Sequence, residues 1–264
     1  MTWIGVAARL IAFSVVFLLI VGPHALSMRR NGPLSRRLPV ALHRFFLWLF
    51  DLRVVVDGAA PQGGPMLVLA NHVSWLDIPV LASLRPLSFV AKSEVAGWPV
   101  IGLFAKLQRC VFLDRARRSA TAQANAEIAQ RLVQGEVVVL FPEGTSSDGN
   151  RVLPFRASLV GAARATLADS SMQRVALQPL AIAYVRRNGL SVTRHERPAI
   201  AWYGDMDFVP HLIAFVRSGP LDAVVVWGKP IPFDAQSDRK RVTAQAEVAV
   251  RASLRRVAVH RTSD

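Results

Sequence analysis

Residues 67–83 read "LVLANHVSWLDIPVLAS". Leu67 to Ala70 form an unbroken aliphatic run with no polar residue, the pattern of a strand buried on both faces. Pro79 has no amide hydrogen and is accepted only in the first turn of a helix, so a helix is predicted to begin close to Asp77. Asn71 and His72 therefore fall on the loop that leaves the C-terminal end of the strand, where open α/β sheets hold their ligands.

The same grammar repeats outward from this stretch. "RVVVDG", "LSFVAK", "CVFLD", "EVVVLFPEG", "ALQPLAIAY" and "AVVVWGKPI" read as further buried strands. Helices are predicted between them at 78–84, 98–107, 119–133, 157–168 and 238–257. The alternation predicts one α/β domain, a mostly parallel or mixed sheet flanked by helices, over residues 51–264. No repeat and no low-complexity tract interrupts it.

Residues 1–50 have a different character. "LIAFSVVFLLIVGPHALSM" from Leu10 to Met28 approaches the ~20 apolar residues that a bilayer-spanning helix needs. The segment carries six arginines and no acidic residue, and five of the arginines follow the apolar run. The positive-inside bias then sets the remainder of the chain on the cytoplasmic side, with 1–50 as a membrane-anchoring segment and the inner membrane as the location. The stretch 42–56, "LHRFFLWLFDLRVVV", is predicted as an interfacial helix that runs into the first strand. A cleaved leader is the alternative for the apolar run, opposed by the Arg29-Arg30 pair directly after it.

The chain has 264 residues, a formal charge of +14 from 32 Lys and Arg against 18 Asp and Glu, and 52% hydrophobic residues. Basic and apolar together suit an anionic membrane surface. Nucleic-acid binding would also use the charge, but the arginines gather beside the apolar segment, and no aromatic-basic interleaving of the kind that stacks bases is present. Cys110 is the single cysteine, so no internal disulfide is possible.

Across a loop, Asp77 can fold back onto one imidazole nitrogen of His72, leaving the other as a general base. Spacing alone equally allows Asp77 as a helix cap and His72 as a turn residue. No Gly-x-Ser-x-Gly elbow occurs, and Cys110 lies in an apolar run, so a histidine base would take its proton from a substrate hydroxyl. "FPEGTSS" (141–147) follows the strongest strand, and "VFLDR" (111–115) ends another in Arg115. Both fall on the same edge of the sheet as His72.

Taken together, these blocks resemble a known family. "NHVSWLD" is similar to the Asn-His-x(4)-Asp motif of the glycerolipid acyltransferases, which include 1-acylglycerol-3-phosphate O-acyltransferase. "VFLDR", "FPEGTSS" and "LQPLAIAY" resemble the second, third and fourth blocks, in family order between residues 66 and 184. The resemblance implies transfer of an acyl chain from acyl carrier protein or a coenzyme A thioester to the free hydroxyl of a single-chain membrane lipid, with no metal and no prosthetic group. It implies His72 as base and Asp77 as its partner, with Arg115, Glu143, Gly144 and Thr145 at the acceptor. Lys106, before the second block, is a further candidate for the head group or the phosphate-bearing arm of the thioester.

One position departs from the pattern of the phosphatidic-acid-forming members, many of which carry Arg after the Thr of the third block. Ser146 stands there instead. Together with "TSSDGNRVLPFRASLVGAA" and "IAWYGDMDFVPHL", this looks more like the branch that acylates lyso-ornithine lipid, whose head group is zwitterionic. Lysophosphatidic acid is the alternative acceptor.

Overall fold

The computed structural model describes residues 2–30, 32–60, 65–114, 118–168 and 172–260. In chain order its main elements are α1 (Trp3–Arg29), α2 (Leu34–Leu49), β1 (Leu52–Asp57), β2 (Met66–Ala70), α3 (Asp77–Ala82), β3 (Ser88–Lys92), α4 (Ile101–Leu107) and β4 (Val111–Leu113). There follow α5 (Arg118–Val133), β5 (Val137–Leu140), α6 (Gly161–Ala168), β6 (Val175–Arg187), β7 (Leu190–Ser191), α7 (Phe208–Arg217), β8 (Leu221–Trp227), β9 (Ile231–Phe233) and α8 (Arg239–His260).

The sheet runs β1-β8-β6-β2-β5-β3-β4, with β7 and β9 paired to β6. From β6 to β4 all neighbours are parallel, while β8 and β9 are antiparallel to β6. The sheet is therefore mixed and flanked by helices. In β2, Met66, Val68 and Ala70 face one apolar core while Leu67 and Leu69 face the other, which is why the strand reads as a continuous aliphatic run. The first core is closed by α1, α2, α3 and α7, the second by α5, α6 and α8.

The helix α1 has 27 residues, about 40 Å at 1.5 Å per residue, and is apolar enough to cross a bilayer core of about 30 Å. It is the only such helix among the described residues. Ile4, Ile11, Leu18 and Leu19 stand exposed along it. Its other side is tied to the α/β domain: Phe13 packs edge-on against Phe46, Phe17 against Phe104, and His24 Nε2 donates to the Leu107 carbonyl (2.9 Å). Arg9 pairs with Asp51 at 2.8 Å.

The predicted interfacial helix at 42–56 begins earlier and turns mostly inward. It is α2, starting at Leu34, and Leu42, Phe46 and Leu47 are buried in the core while Trp48 is left 73% exposed. Arg44, counted above with the basic membrane-facing residues, donates to the Ser83 carbonyl at the end of α3 (2.9 Å). The reason is that α2 has a partner on each side, α1 and the sheet, so its aromatic residues are used for packing. Three elements escaped the periodicity reading: α7, whose Pro210 obscured a first helical turn, and the short strands β7 and β9, two and three residues long.

Phe46 contacts the rings of Phe13, Phe50, Trp75 and Phe215 and is 7% exposed, joining α1, α2, the loop before α3 and α7 in one cluster. Phe46→Ala is expected to cost about 3–5 kcal/mol of unfolding free energy, as buried aromatic truncations do. Denaturant unfolding in detergent micelles checks this, and a loss below about 1 kcal/mol would show that the cluster collapses around the gap.

Candidate active site

Two adjacent parallel strands carry the site. Leu69 of β2 pairs with Leu140 of β5, so three residues further on His72 and Glu143 stand at the same height above the sheet. The Asn71 side chain prolongs the ladder beyond β2: its Nδ2 donates to the Ile182 carbonyl (3.0 Å) and its Oδ1 accepts from the Ile182 amide (2.9 Å). A side-chain amide has the donor and acceptor of a peptide group, and here it stands in for one.

Asp77 opens α3 and is fully buried. Its Oδ2 accepts from the amides of Val73 (2.8 Å) and Ser74 (3.1 Å) and lies 2.7 Å from His72 Nδ1. Its Oδ1 accepts from the Tyr184 hydroxyl at 2.7 Å. With the carboxylate as acceptor, Nδ1 carries the hydrogen, and Nε2 is left with its lone pair. Burial, and then the charge of Asp77, push the Tyr184 hydroxyl well above its ordinary pKa of 10, so it stays a neutral donor. The His72 ring stacks on Phe141, with centroids 4.0 Å apart and planes 14° from parallel, and its side chain remains 19% exposed. An oriented imidazole with a free Nε2 beside solvent is the arrangement a general base requires.

Glu143 is buried and clamps this loop from β5. Its Oε1 accepts from the His72 amide (2.8 Å) and its Oε2 from the Leu153 amide (2.8 Å). The Ser147 amide donates to the His72 carbonyl (2.9 Å), so both backbone polar groups of His72 are held by the 143–147 turn. Both oxygens of Glu143 thus serve the backbone, and its carboxylate positions the histidine. Burial raises its pKa from 4.5 to about 7, with the two amides pulling in the opposite direction.

Gly144 adopts φ +77°, and a Cβ there would lie 3.3 Å from the guanidinium of Arg156. Arg156 is exposed and its side chain makes no hydrogen bond or ion pair among the described residues. A cation therefore lies over the Pro-Glu-Gly turn, supplied from ten residues downstream of Ser146. Ser146 itself is engaged, its hydroxyl donating to the Trp202 carbonyl at 2.5 Å. Sequence reading passed over Arg156 because nothing in "LPFRASLV" shows that its chain returns to the turn; the bond from its amide to the Pro142 carbonyl brings it there (2.8 Å).

Thr145 is exposed on the same turn. Lys106 is exposed on α4, the helix bonded to α1, and its side chain makes no hydrogen bond or ion pair to the His72 loop among the described residues. Arg115 lies outside the described residues. Cys110 is buried, and desolvation pushes its thiol up to about 12, far from a nucleophilic thiolate at neutral pH. Among the described residues, no cluster of three His, Cys, Asp or Glu could hold a metal ion.

A family model described as "Acyltransferase" matches residues 52–183, half of the chain, and spans both loops of this site. The chain belongs to the acyltransferase family. This acyltransferase is 44% identical to a lyso-ornithine lipid O-acyltransferase of Brucella abortus, covering 95% of the chain and 90% of the relative, and 42% identical to one of Rhizobium meliloti, covering 91% and 82%. It is 36% identical to a 1-acyl-sn-glycerol-3-phosphate acyltransferase of Neisseria gonorrhoeae, over 54% of the chain and 57% of that protein. Its fold is shared with the 1-acyl-sn-glycerophosphate acyltransferase PlsC of Thermotoga maritima, at a TM-score of 0.59 and 20% identity over 96% and 98% of the two chains. The acyltransferase is thus an enzyme with a lipid acceptor, and α1 is consistent with association with a membrane.

Two variants separate orientation of the base from its support. Asp77→Asn is expected to lower kcat by roughly three to four orders of magnitude through the wrong imidazole tautomer, while Tyr184→Phe, which removes one of four bonds to Asp77, costs far less. Equal losses in the two variants would overturn this ranking. Glu143 supplies a pH test. Between pH 4.5 and about 7 the folded protein retains a proton that the unfolded chain releases, so its contribution to stability falls as pH rises through that window. Glu143→Gln cannot titrate, and its melting temperature in detergent is expected to change less between pH 4.5 and 7.5; an identical slope in both proteins would refute the assignment.

Proposed function

We propose that this acyltransferase moves an acyl chain from an acyl thioester, on acyl carrier protein or coenzyme A, to the free hydroxyl of lyso-ornithine lipid at the cytoplasmic face of the inner membrane. The observation that carries the reading is the His72 ring held through Nδ1 by Asp77 with its Nε2 free, beside a turn whose cation comes from Arg156. Near-full-length relatives named for lyso-ornithine lipid support the choice of acceptor. The five arginines that follow the apolar run of α1 support the cytoplasmic side.

In this mechanism Nε2 takes the hydroxyl proton as the oxygen attacks the thioester carbonyl. The imidazolium is stabilised by Asp77, whose remaining bonds keep the carboxylate in place. The tetrahedral intermediate collapses with cleavage of the C–S bond, and the proton on Nε2 passes to the departing sulfur, leaving an ester and a free thiol. No covalent enzyme intermediate is needed, because the thioester is already activated. Glu143 holds the His72 backbone in line, and Arg156 faces the head group. An ornithine head group offers a carboxylate to a guanidinium without requiring the second cation that a doubly charged phosphate would favour.

Acyl carrier protein and coenzyme A thioesters, each supplied with lyso-ornithine lipid or with lysophosphatidic acid, provide the test. The ratio of kcat/KM for the two acceptors is expected to favour lyso-ornithine lipid, and His72→Ala to abolish both transfers. A ratio that favours lysophosphatidic acid would make phosphatidic acid the product. Arg156→Ala is expected to raise KM for lyso-ornithine lipid about tenfold, the worth of one charge-assisted bond. It should have no effect when the head-group carboxylate is methyl-esterified; an equal effect on the ester would remove Arg156 from the acceptor site.

A further inference from the structure

On the side of the molecule closed by α8, the last turns of that helix cover a cavity of about 310 Å³. Its wall includes Asn71, adjacent to His72, and Tyr184, the donor to Asp77, so the cavity backs onto the His72–Asp77 pair. Arg151, Arg197, Arg251 and Arg255 line it, and no aspartate or glutamate is among the lining residues. Arg251 is engaged, donating to Glu247 (2.9 Å) and to the Val152 carbonyl (2.6 Å). The side chains of the other three arginines make no hydrogen bond or ion pair among the described residues. The rest of the wall is largely aliphatic.

Three arginines that line one concavity, with no acidic partner among the described residues, set up a positive field there. The arrangement favours an occupant with several anionic oxygens, and the planar guanidinium matches phosphate two bonds at a time. We propose that this cavity holds the phosphate ester of the arm on which the acyl thioester is carried, so that the donor is anchored by its phosphate while the arm extends toward the base. Its location supports a donor and not a lipid. Its wall joins both cores, with Val73, Ile182, Tyr184 and Ile200 from the first and Val152 from the second, but none of it comes from the apolar helices α1 and α2, and Arg151 and Arg255 stand exposed at it, where a carrier can reach them from water. Lys106, the earlier candidate for this phosphate, lies on α4, which is bonded to α1, and does not line the cavity.

The inference rests on the thioester reading of the donor, and the test separates the two. Full-length protein is placed in nanodiscs of neutral lipid, and equilibrium binding of phosphopantetheine is compared with that of pantetheine, which lacks the phosphate. Wild type is expected to bind the phosphorylated arm at least about tenfold more tightly, and Arg151→Gln/Arg255→Gln to bind both alike. The same double variant should raise KM for the acyl thioester while KM for the acceptor stays within twofold. Wild type that does not distinguish the two arms would overturn the inference even if thioesters support transfer. Specific binding of the arm without transfer from any thioester would instead bring down the proposed function and leave this site standing. If phosphatidylglycerol in the nanodisc displaces phosphopantetheine from wild type and not from the variant, the cavity takes a lipid phosphate, and the donor assignment is wrong.

Discussion

The buried carboxylate of Asp77 is the constraint around which the site is arranged. Removing a carboxylate from water costs several kcal/mol, and that penalty is offset only if its lone pairs are filled. Here four donors fill them: two amides of the 73–74 loop, the His72 ring and the Tyr184 hydroxyl. Each donor comes at a structural consequence. The loop must curl around the start of α3, the imidazole must present Nδ1, and β6 must extend beyond β2 far enough to deliver Tyr184.

A second buried carboxylate carries out the complementary task from the next strand. Glu143 reaches no side chain in its bonds; it takes the amides of His72 and Leu153 and so welds the β2 and β5 loops together. The two acids of the family blocks therefore differ in kind. Asp77 sets the orientation of the ring, and Glu143 sets where the backbone that bears the ring is held.

The two faces of the sheet carry helices of different character. The apolar helix α1 and the aromatic cluster around Phe46 belong to one face, and α8 with its arginines belongs to the other. His72 sits at the strand ends between them. The basic charge of the chain is also divided: Arg9 and Arg44 of the first 50 residues are used in tertiary contacts, while Arg151, Arg197 and Arg255 line the cavity without a hydrogen bond or ion pair of their side chains among the described residues.

The alternation of aliphatic runs and helical segments, the apolar α1, and the His72–Asp77 spacing at a strand end were all legible in the sequence, because each depends on residues close together in the chain. Local periodicity reports which faces are buried, and Pro79 dates the start of a helix. What the sequence could not state were the contacts made by chain return. Arg156 over Gly144, Tyr184 on Asp77, Ser146 on Trp202 and the convergence of arginines from 151 to 255 depend on strand order and loop closure, which no local pattern encodes. The inward turn of α2 belongs with them: its apolar residues were visible, but whether lipid or protein would cover them was decided only when α1 and the sheet packed against it from either side.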